Sequence, residues 1–218
     1  MADFSEDVPT PVEAKRRTRH DLLLHRRAQT AQQRAAAAER IGAELTDLVR
    51  RIRPARVAAY VPVGSEPGGP DLPDRLRAAL PPGGELLLPV LRTDLDLNWA
   101  GYDGSLVAAG RGMREPTEPR LGVEAIAGAD LVLVPALAVD RRGARLGRGG
   151  GSYDRALARV SARTLTVALL HDGELVDRLP AEPHDRPVRA VVTPGGGLLT
   201  LVDAAGVAPH TSAGRTRG

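Results

Sequence analysis

The chain alternates between stretches rich in helix formers and short apolar runs, and the order of the two describes most of a fold. From Ala14 the segment KRRTRHDLLLHRRAQTAQQRAAAAERIGAELTDLVRRI has no proline before Pro54, which predicts two helices. They part between Gln29 and Gln32, where Thr30 suits the N-cap of the second. The β-branched and apolar run RVAAYVPVG, residues 56–64, predicts a strand ending in a Pro- and Gly-bearing loop. DLPDRLRAAL, residues 71–80, has helical spacing with Asp71 as N-cap and Pro81 as its stop, and ELLLPV, residues 85–90, predicts a second strand. This is a right-handed βαβ unit in outline, and it favours a parallel sheet.

The alternation in LDLNWAGY, within residues 94–107, predicts a short antiparallel excursion, and MREPTEP, residues 113–119, a loop kept extended by two prolines. The clearest buried strand is ADLVLVPALAVD, residues 129–140, a continuous apolar run typical of a central parallel strand. A helix is expected over residues 152–162, a strand over 164–170, a connection over 171–180 and a final strand over 188–194, before Gly195 to Gly197. No internal repeat interrupts this order. The reading is an α/β protein: one domain, residues 14–203, with a mostly parallel twisted sheet and helices on both faces. Residues 1–13 and 204–218 are polar and without periodicity, and are expected to be disordered tails.

Composition narrows this further. A chain of 218 residues with 42% apolar content can build one core, and with 2% aromatics that core must consist of Leu, Val, Ala and Ile. The net charge is only +3, although 29 of the 30 basic residues are arginines, Lys15 being the single lysine. Either Lys15 marks a position that needs an ammonium, or it is a chance survivor of a bias towards arginine. Charges of both signs are interspersed except at residues 16–27 and 141–148, so a continuous nucleic-acid-binding face is not indicated. Without cysteine there is neither a disulfide framework nor a thiolate metal site. The acidic N-terminus lacks the pattern of a secretory signal and no run approaches membrane-spanning length, so a soluble, cytoplasmic protein is expected, with a monomer as the default.

The chemistry concentrates in RLGRGGGSYD, residues 145–154. It follows the central strand and opens a helix, the place where open α/β sheets bind ligands. Gly147, Gly149, Gly150 and Gly151 let backbone N–H groups converge on an anion, while Arg145 and Arg148 offer forked donors to phosphate oxygens. A simple turn would need only one or two glycines. The run is neither GxxxxGK[ST] nor a GxGxxG in a first βαβ unit, so the common P-loop and dinucleotide readings are not supported. Asp154 either complements the helix dipole or, beside bound polyphosphate, holds Mg²⁺. Asp185, in EPHDRP, is a candidate second ligand or a solvated loop residue, and His184 beside it is a phosphate donor or a plain loop residue.

Residues 133–157, LVPALAVDRRGARLGRGGGSYDRAL, resemble the signature of the 5-formyltetrahydrofolate cyclo-ligases, roughly V-P-G-L-A-F-D-x-x-G-x-R-L-G-x-G-x-G-Y-Y-D. The likeness extends, in the family's order, to AKRRTR near the start, AAYVPVGSE, the EP-containing middle loop and LPAEPHDRPVRAVVTP. It implies a fold like that of sugar-phosphate isomerases and CoA-transferases (NagB/RpiA/CoA-transferase-like), and an ATP- and Mg²⁺-dependent enzyme acting on 5-formyltetrahydrofolate. It also implies an ATP site of Lys15, Arg19 and the segment Arg145, Leu146, Gly147, Arg148, Gly149, Gly150, Gly151, Ser152 and Tyr153. Lys15, Arg145 and Arg148 would serve catalysis, Val61, Glu66 and Ser152 the folate, and Asp154 with Asp185 the metal. Lys15 and Arg19, at i and i+4 of a helix, share a face and can reach one phosphate chain.

The chain departs from the pattern at Ala136, where Gly is common, at Gly150, where many members have Lys, and at Ser152, where the first Tyr stands. Two other classes are compatible with the pattern: a non-catalytic or isomerase-like α/β protein that binds a phosphorylated ligand without ATP, and an arginine-rich nucleic-acid-binding module.

Overall fold

The computed structural model describes residues 10–180 and 186–201. Helix α1 (Pro11–Ala28) starts three residues before the expected Ala14, because Thr10 and Glu13 form a reciprocal capping box: Glu13 N donates to Thr10 Oγ1 (3.3 Å) and Thr10 N to Glu13 Oε2 (2.9 Å). Pro11 then fills a first-turn position that needs no N–H donor. Thr30 and Gln33 build the same box at the head of α2 (Ala31–Ile52), at the cap that the sequence indicates. The remaining tail residues expected to be disordered, 1–9 and 204–218, lie outside the described residues.

After α2, β1 (Arg56–Ala58), α3 (Leu72–Ala79) and β2 (Glu85–Leu91) form the expected parallel βαβ unit, and β3 (Leu97–Gly101) turns back antiparallel to β2. Asp71 stands at the N-cap of α3, but its carboxylate makes no capping bond; its backbone (φ −92, ψ 4) is already turned rather than extended. The loop expected at residues 113–119 contributes β5 (Arg114–Pro116) to a hairpin with β4 (Leu106–Ala108). β6 (Leu131–Pro135) and β7 (Ala138–Asp140) follow, then β8 (Arg145–Leu146), α4 (Ser152–Ala158), β9 (Leu165–Leu169), β10 (Leu175–Val176), β11 (Ala190–Thr193) and β12 (Gly197–Thr200).

The run at residues 129–140 is therefore two strands and not one. At Ala136 the chain leaves the main sheet: Leu137 N donates to Leu146 O, and β7 pairs with β8 and β10 in a separate three-stranded sheet. The helix expected to reach residue 162 ends at Ala158, and the chain continues through turns closed by Val160 N to Leu157 O and Thr164 N to Ser161 O. β12, which the sequence reading missed, is a short antiparallel edge after the Gly195–Gly197 turn.

The main sheet runs β12-β11-β9-β6-β1-β2-β3, parallel through its five central strands and antiparallel at both edges. Alternate residues of β6 explain its continuous apolar character. Leu131 and Leu133 pack with Ile41, Leu45 and Val49 of α2 and Leu72 and Leu76 of α3, whereas Val132 and Val134 face Trp99, Ile126 of a 3₁₀ turn (Val123–Gly128), and Ala156 and Leu157 of α4. From β1 the chain builds outward to β3, then returns to β6 on the other side of β1. The order of strands thus reverses between β1 and β6, and their carboxyl ends flank the crevice that such a switch point opens. No described helix is long and apolar enough to cross a membrane.

Candidate active site

A cavity of about 470 Å³ occupies that crevice. Its walls come from α1 (Lys15, Arg19, Arg26), the loop after β1 (Val61, Val63, Glu66), the end of β2 (Pro89, Leu91), the β4–β5 hairpin (Arg111 to Glu115) and the whole run from Arg145 to Asp154. Every candidate residue named from the sequence therefore stands on one wall or another, except Asp185, which lies outside the described residues together with His184. Seven basic side chains and three acidic ones line the cavity, a balance that favours a polyanionic ligand.

The Gly-rich run is shaped by two of its glycines. Gly149 (φ +98) and Gly151 (φ +68) hold backbone conformations that residues with a Cβ rarely adopt, whereas Gly150 has ordinary φ and only Ser152 Oγ within reach of a Cβ, at 3.6 Å. No side chain caps the N-terminus of α4. Behind the loop, the fully buried Asp140 carboxylate accepts from the backbone N–H groups of Arg142, Ala144 and Leu179 and closes the β7–β8 turn that delivers Arg145.

Arg145 is almost buried, with one nitrogen on Asp154 Oδ1 (2.6 Å) and another on Pro135 O (3.3 Å), while its Nε has no partner among the described residues. Helix α1 docks on this loop through Arg19, whose Nε donates to Gly147 O at 2.9 Å, and Lys15, one turn earlier, is 6% exposed. The i, i+4 pair therefore does share the face turned to the glycines.

On the opposite wall, Glu66 Oε2 accepts from Val63 N (2.9 Å), and Oε1 meets Arg148 Nε at 3.1 Å. The arginine expected to meet phosphate and the acid expected to meet the folate are thus ion-paired across the crevice. Burial, and then the Glu66 charge, push the hydroxyl groups of Tyr60 and Tyr153 well above the usual tyrosine range, so both are neutral donors at neutral pH. Tyr60 donates to Pro67 O (2.9 Å), whereas the Tyr153 hydroxyl is buried with no partner among the described residues. Tyr153 Oη and Arg145 Nε are the two orphaned polar atoms of the cavity-lining residues, and a polar ligand would satisfy them.

A model of the 5-formyltetrahydrofolate cyclo-ligase family matches residues 11–194. The chain belongs to that family. It is 47% identical over 194 residues to the 5-formyltetrahydrofolate cyclo-ligase of Mycolicibacterium smegmatis, covering 86% of this chain and 97% of the relative. The Escherichia coli K12 cyclo-ligase is 43% identical over 81 residues, 35% of this chain and 44% of that protein. The solved 5,10-methenyltetrahydrofolate synthetase of Aquifex aeolicus superposes with a TM-score of 0.72 at 28% identity, over 91% of this chain and 98% of that one. The Mycoplasma pneumoniae synthetase, at 17% identity and a TM-score of 0.64 over 81% and 96% of the two chains, shares the fold.

The sequence reading overlooked several residues of this site. Arg26, Glu174 and His171 form a buried network behind it, and Arg111, Arg114 and Glu115 come from the β4–β5 hairpin. A signal existed for Arg26: it follows Lys15, Arg19 and Leu22 at helical spacing on one face. His171 stands two residues after the carboxyl end of β9, at the edge of the sheet where ligands bind. In the hairpin only the EP-containing segment at Glu115 carried the family likeness; residues 111–114 have no pattern to read, because only the folded chain brings them over the crevice.

Proposed function

We propose that this chain uses ATP and Mg²⁺ to cyclise 5-formyltetrahydrofolate to 5,10-methenyltetrahydrofolate, on a fold that we assign to the sugar-phosphate isomerase and CoA-transferase type. The observation that carries the proposal is the Arg148–Glu66 pair. It joins a cationic, glycine-lined anion cradle directly to a carboxylate set for the paired N–H donors of a pterin.

The formyl group on N5 is an amide, a poor electrophile whose oxygen does not leave as hydroxide near neutral pH. In the proposed reaction this oxygen attacks the γ-phosphorus of ATP and ADP departs. N10 then attacks the activated carbon, its proton is lost and inorganic phosphate leaves with the original formyl oxygen. No protein nucleophile is needed; the work of the chain is positioning and charge neutralisation. Lys15, Arg19, Arg145 and Arg148 surround the phosphates, Glu66 fixes the pterin and Val61 walls its ring. Pro89, Leu91, Leu97 and Met113 line the cavity and would offer the benzoyl group an apolar wall, and Arg111 and Arg114, on the same lining, would meet the glutamate carboxylates.

Asp154, with Asp185 as the family resemblance implies, would hold Mg²⁺, which when bound spreads the charge of the phosphate oxygens. The chemistry of the site suits it: Asp154 is 27% exposed on the cavity wall, and its bond to Arg145 uses Oδ1. Mg²⁺ characteristically takes one or two protein carboxylates and completes its shell with water and phosphate oxygens.

Substrate carrying ¹⁸O in the formyl group tests the route. The label is expected in the released phosphate; unlabelled phosphate would refute phosphorylation of the formyl oxygen.

A further inference from the structure

Behind the cavity runs a chain of buried polar contacts that the reaction itself does not require. Arg26 of α1 is 1% exposed and meets the equally buried Glu174 through two bonds of 2.7 Å, Nε to Oε1 and Nη2 to Oε2. The same Nη2 donates to Ala136 O at 2.6 Å, where β6 leaves the main sheet. Glu174 Oε2 also accepts from the backbone N–H of His171 (2.7 Å), and the His171 ring reaches Ser65 O through Nε2 at 3.0 Å. A carbonyl oxygen only accepts, so the imidazole carries a proton on Nε2. Ser65 immediately precedes Glu66.

The loop that carries Glu66 is thereby held from outside at Ser65 O by His171 and at Pro67 O by Tyr60, while its inner turn is closed by Val63 N on the Glu66 carboxylate. The other end of the network is α1, the helix that also supplies Lys15 and Arg19 to the opposite half of the cavity. A buried ion pair is a poor source of net stability, because desolvation offsets most of its attraction, but it holds geometry firmly when both carboxylate oxygens are hydrogen-bonded. Here the Glu174 oxygens take Arg26 and His171 together, an arrangement that fixes three segments far apart in sequence: residues 26, 136 and 65.

We infer that Arg26, Glu174 and His171 are a positioning relay that sets the Glu66 loop against the N-terminal helix and so fixes the folate half of the site, a reading that rests on the proposed function for its kinetic consequence. The relay touches the folate loop through one side-chain bond, so removing that bond loosens Glu66 and leaves the Gly-rich cradle in place. His171→Met keeps the length of the side chain and removes the donor, whereas His171→Gln restores an N–H near the position of Nε2.

The test combines backbone amide exchange of the unliganded full chain with steady-state kinetics. In His171→Met, exchange across residues 62–67 is expected to accelerate while residues 145–154 stay as in the unaltered protein; in His171→Gln the loop returns to its original protection. KM for 5-formyltetrahydrofolate is expected to rise about fivefold to tenfold in His171→Met, the effect of one lost hydrogen bond, with KM for ATP within about twofold and His171→Gln restored. Glu174→Gln is expected to raise the same KM, and the double variant to add nothing further, as members of one network behave. Unchanged loop exchange in a folded His171→Met would overturn the relay whatever the protein's activity, and so would equal rises in both KM values. A lack of turnover in the unaltered protein would count against the proposed function alone, because the exchange measurement needs no substrate.

Discussion

The three consecutive glycines at 149–151 should respond very differently to the addition of one methyl group. Gly151 holds φ +68, so Ala there costs roughly 1–2 kcal/mol from the left-handed backbone alone, and its Cβ would press on Arg155 Nη1 at 3.0 Å. That arginine ties the loop to the β2–β3 turn through Leu95 O and Gly150 O, bonds that the displacement would weaken. Gly149 (φ +98) lies still further from what a residue with a Cβ tolerates, at a cost of about 1–3 kcal/mol. Gly150 has neither constraint, and Gly150→Ala is expected to stay within about 0.5 kcal/mol of the original stability. For a chain of this size each kcal/mol moves the melting temperature by about 2–4 °C, so Gly151→Ala should melt about 2–8 °C lower and Gly149→Ala at least as much, with Gly150→Ala nearly unchanged. Thermal unfolding by circular dichroism reads this order, and KM for ATP should follow it, because the strained variants misplace the cradle. Equal losses at all three positions, or the largest loss at 150, would show that backbone conformation does not set the stability of this loop. The open space at Gly150 also admits a lysine, and Gly150→Lys is expected to lower KM for ATP by adding a cation to the cradle.

Asp154→Asn is expected to cut turnover on the order of 100-fold and to raise the Mg²⁺ concentration needed for half-maximal rate, with folate binding little changed; initial rates across a Mg²⁺ titration check it. Arg19→Ala removes the 2.9 Å bond to Gly147 O and should raise KM for ATP about fivefold while leaving KM for the folate alone. Glu66→Gln should do the reverse, raising KM for the folate and freeing Arg148, as paired substrate titrations would show. All three tyrosines of the chain have their hydroxyl groups pushed up: Tyr60 and Tyr153 by burial and Glu66, and Tyr102 to about 12 by burial and its bond to Asp74. A raised folded value means that the folded protein holds the proton more tightly, so this contribution to stability is complete below the unfolded value near 10; for Tyr102 it is lost between 10 and about 12, and for Tyr60 and Tyr153 the loss extends to higher pH. Tyr102 is therefore expected to ionise first, near pH 12, and tyrosinate absorbance from Tyr60 and Tyr153 to appear only together with alkaline unfolding.

Much of this was legible in the order of residues because local physics and the global fold agree there. Thr30 capped α2 as its sequence indicates, the βαβ unit formed as its periodicity requires, and the Gly-rich run lies where a central strand ends. Most of the failures come from competition by distant partners. The apolar run over 129–140 reads as a single strand until Arg26, 110 residues away, takes Ala136 O and Leu146 draws Leu137 into a different sheet. Asp71 has the right residue type for a cap, but its backbone is already turned. The pairing of Arg148 with Glu66 and the network from Arg26 to Ser65 are likewise long-range, and neither spacing nor composition encodes them.

Whether the chain cyclises 5-formyltetrahydrofolate at the expense of ATP is read by mixing the purified protein with 5-formyltetrahydrofolate, ATP and Mg²⁺ and following the absorbance of the methenyl product, with ADP counted alongside. Product is expected only when ATP and Mg²⁺ are both present, with one ADP for each methenyl group formed. Absence of product under those conditions, or product that forms equally well without ATP, would contradict ATP-driven cyclisation.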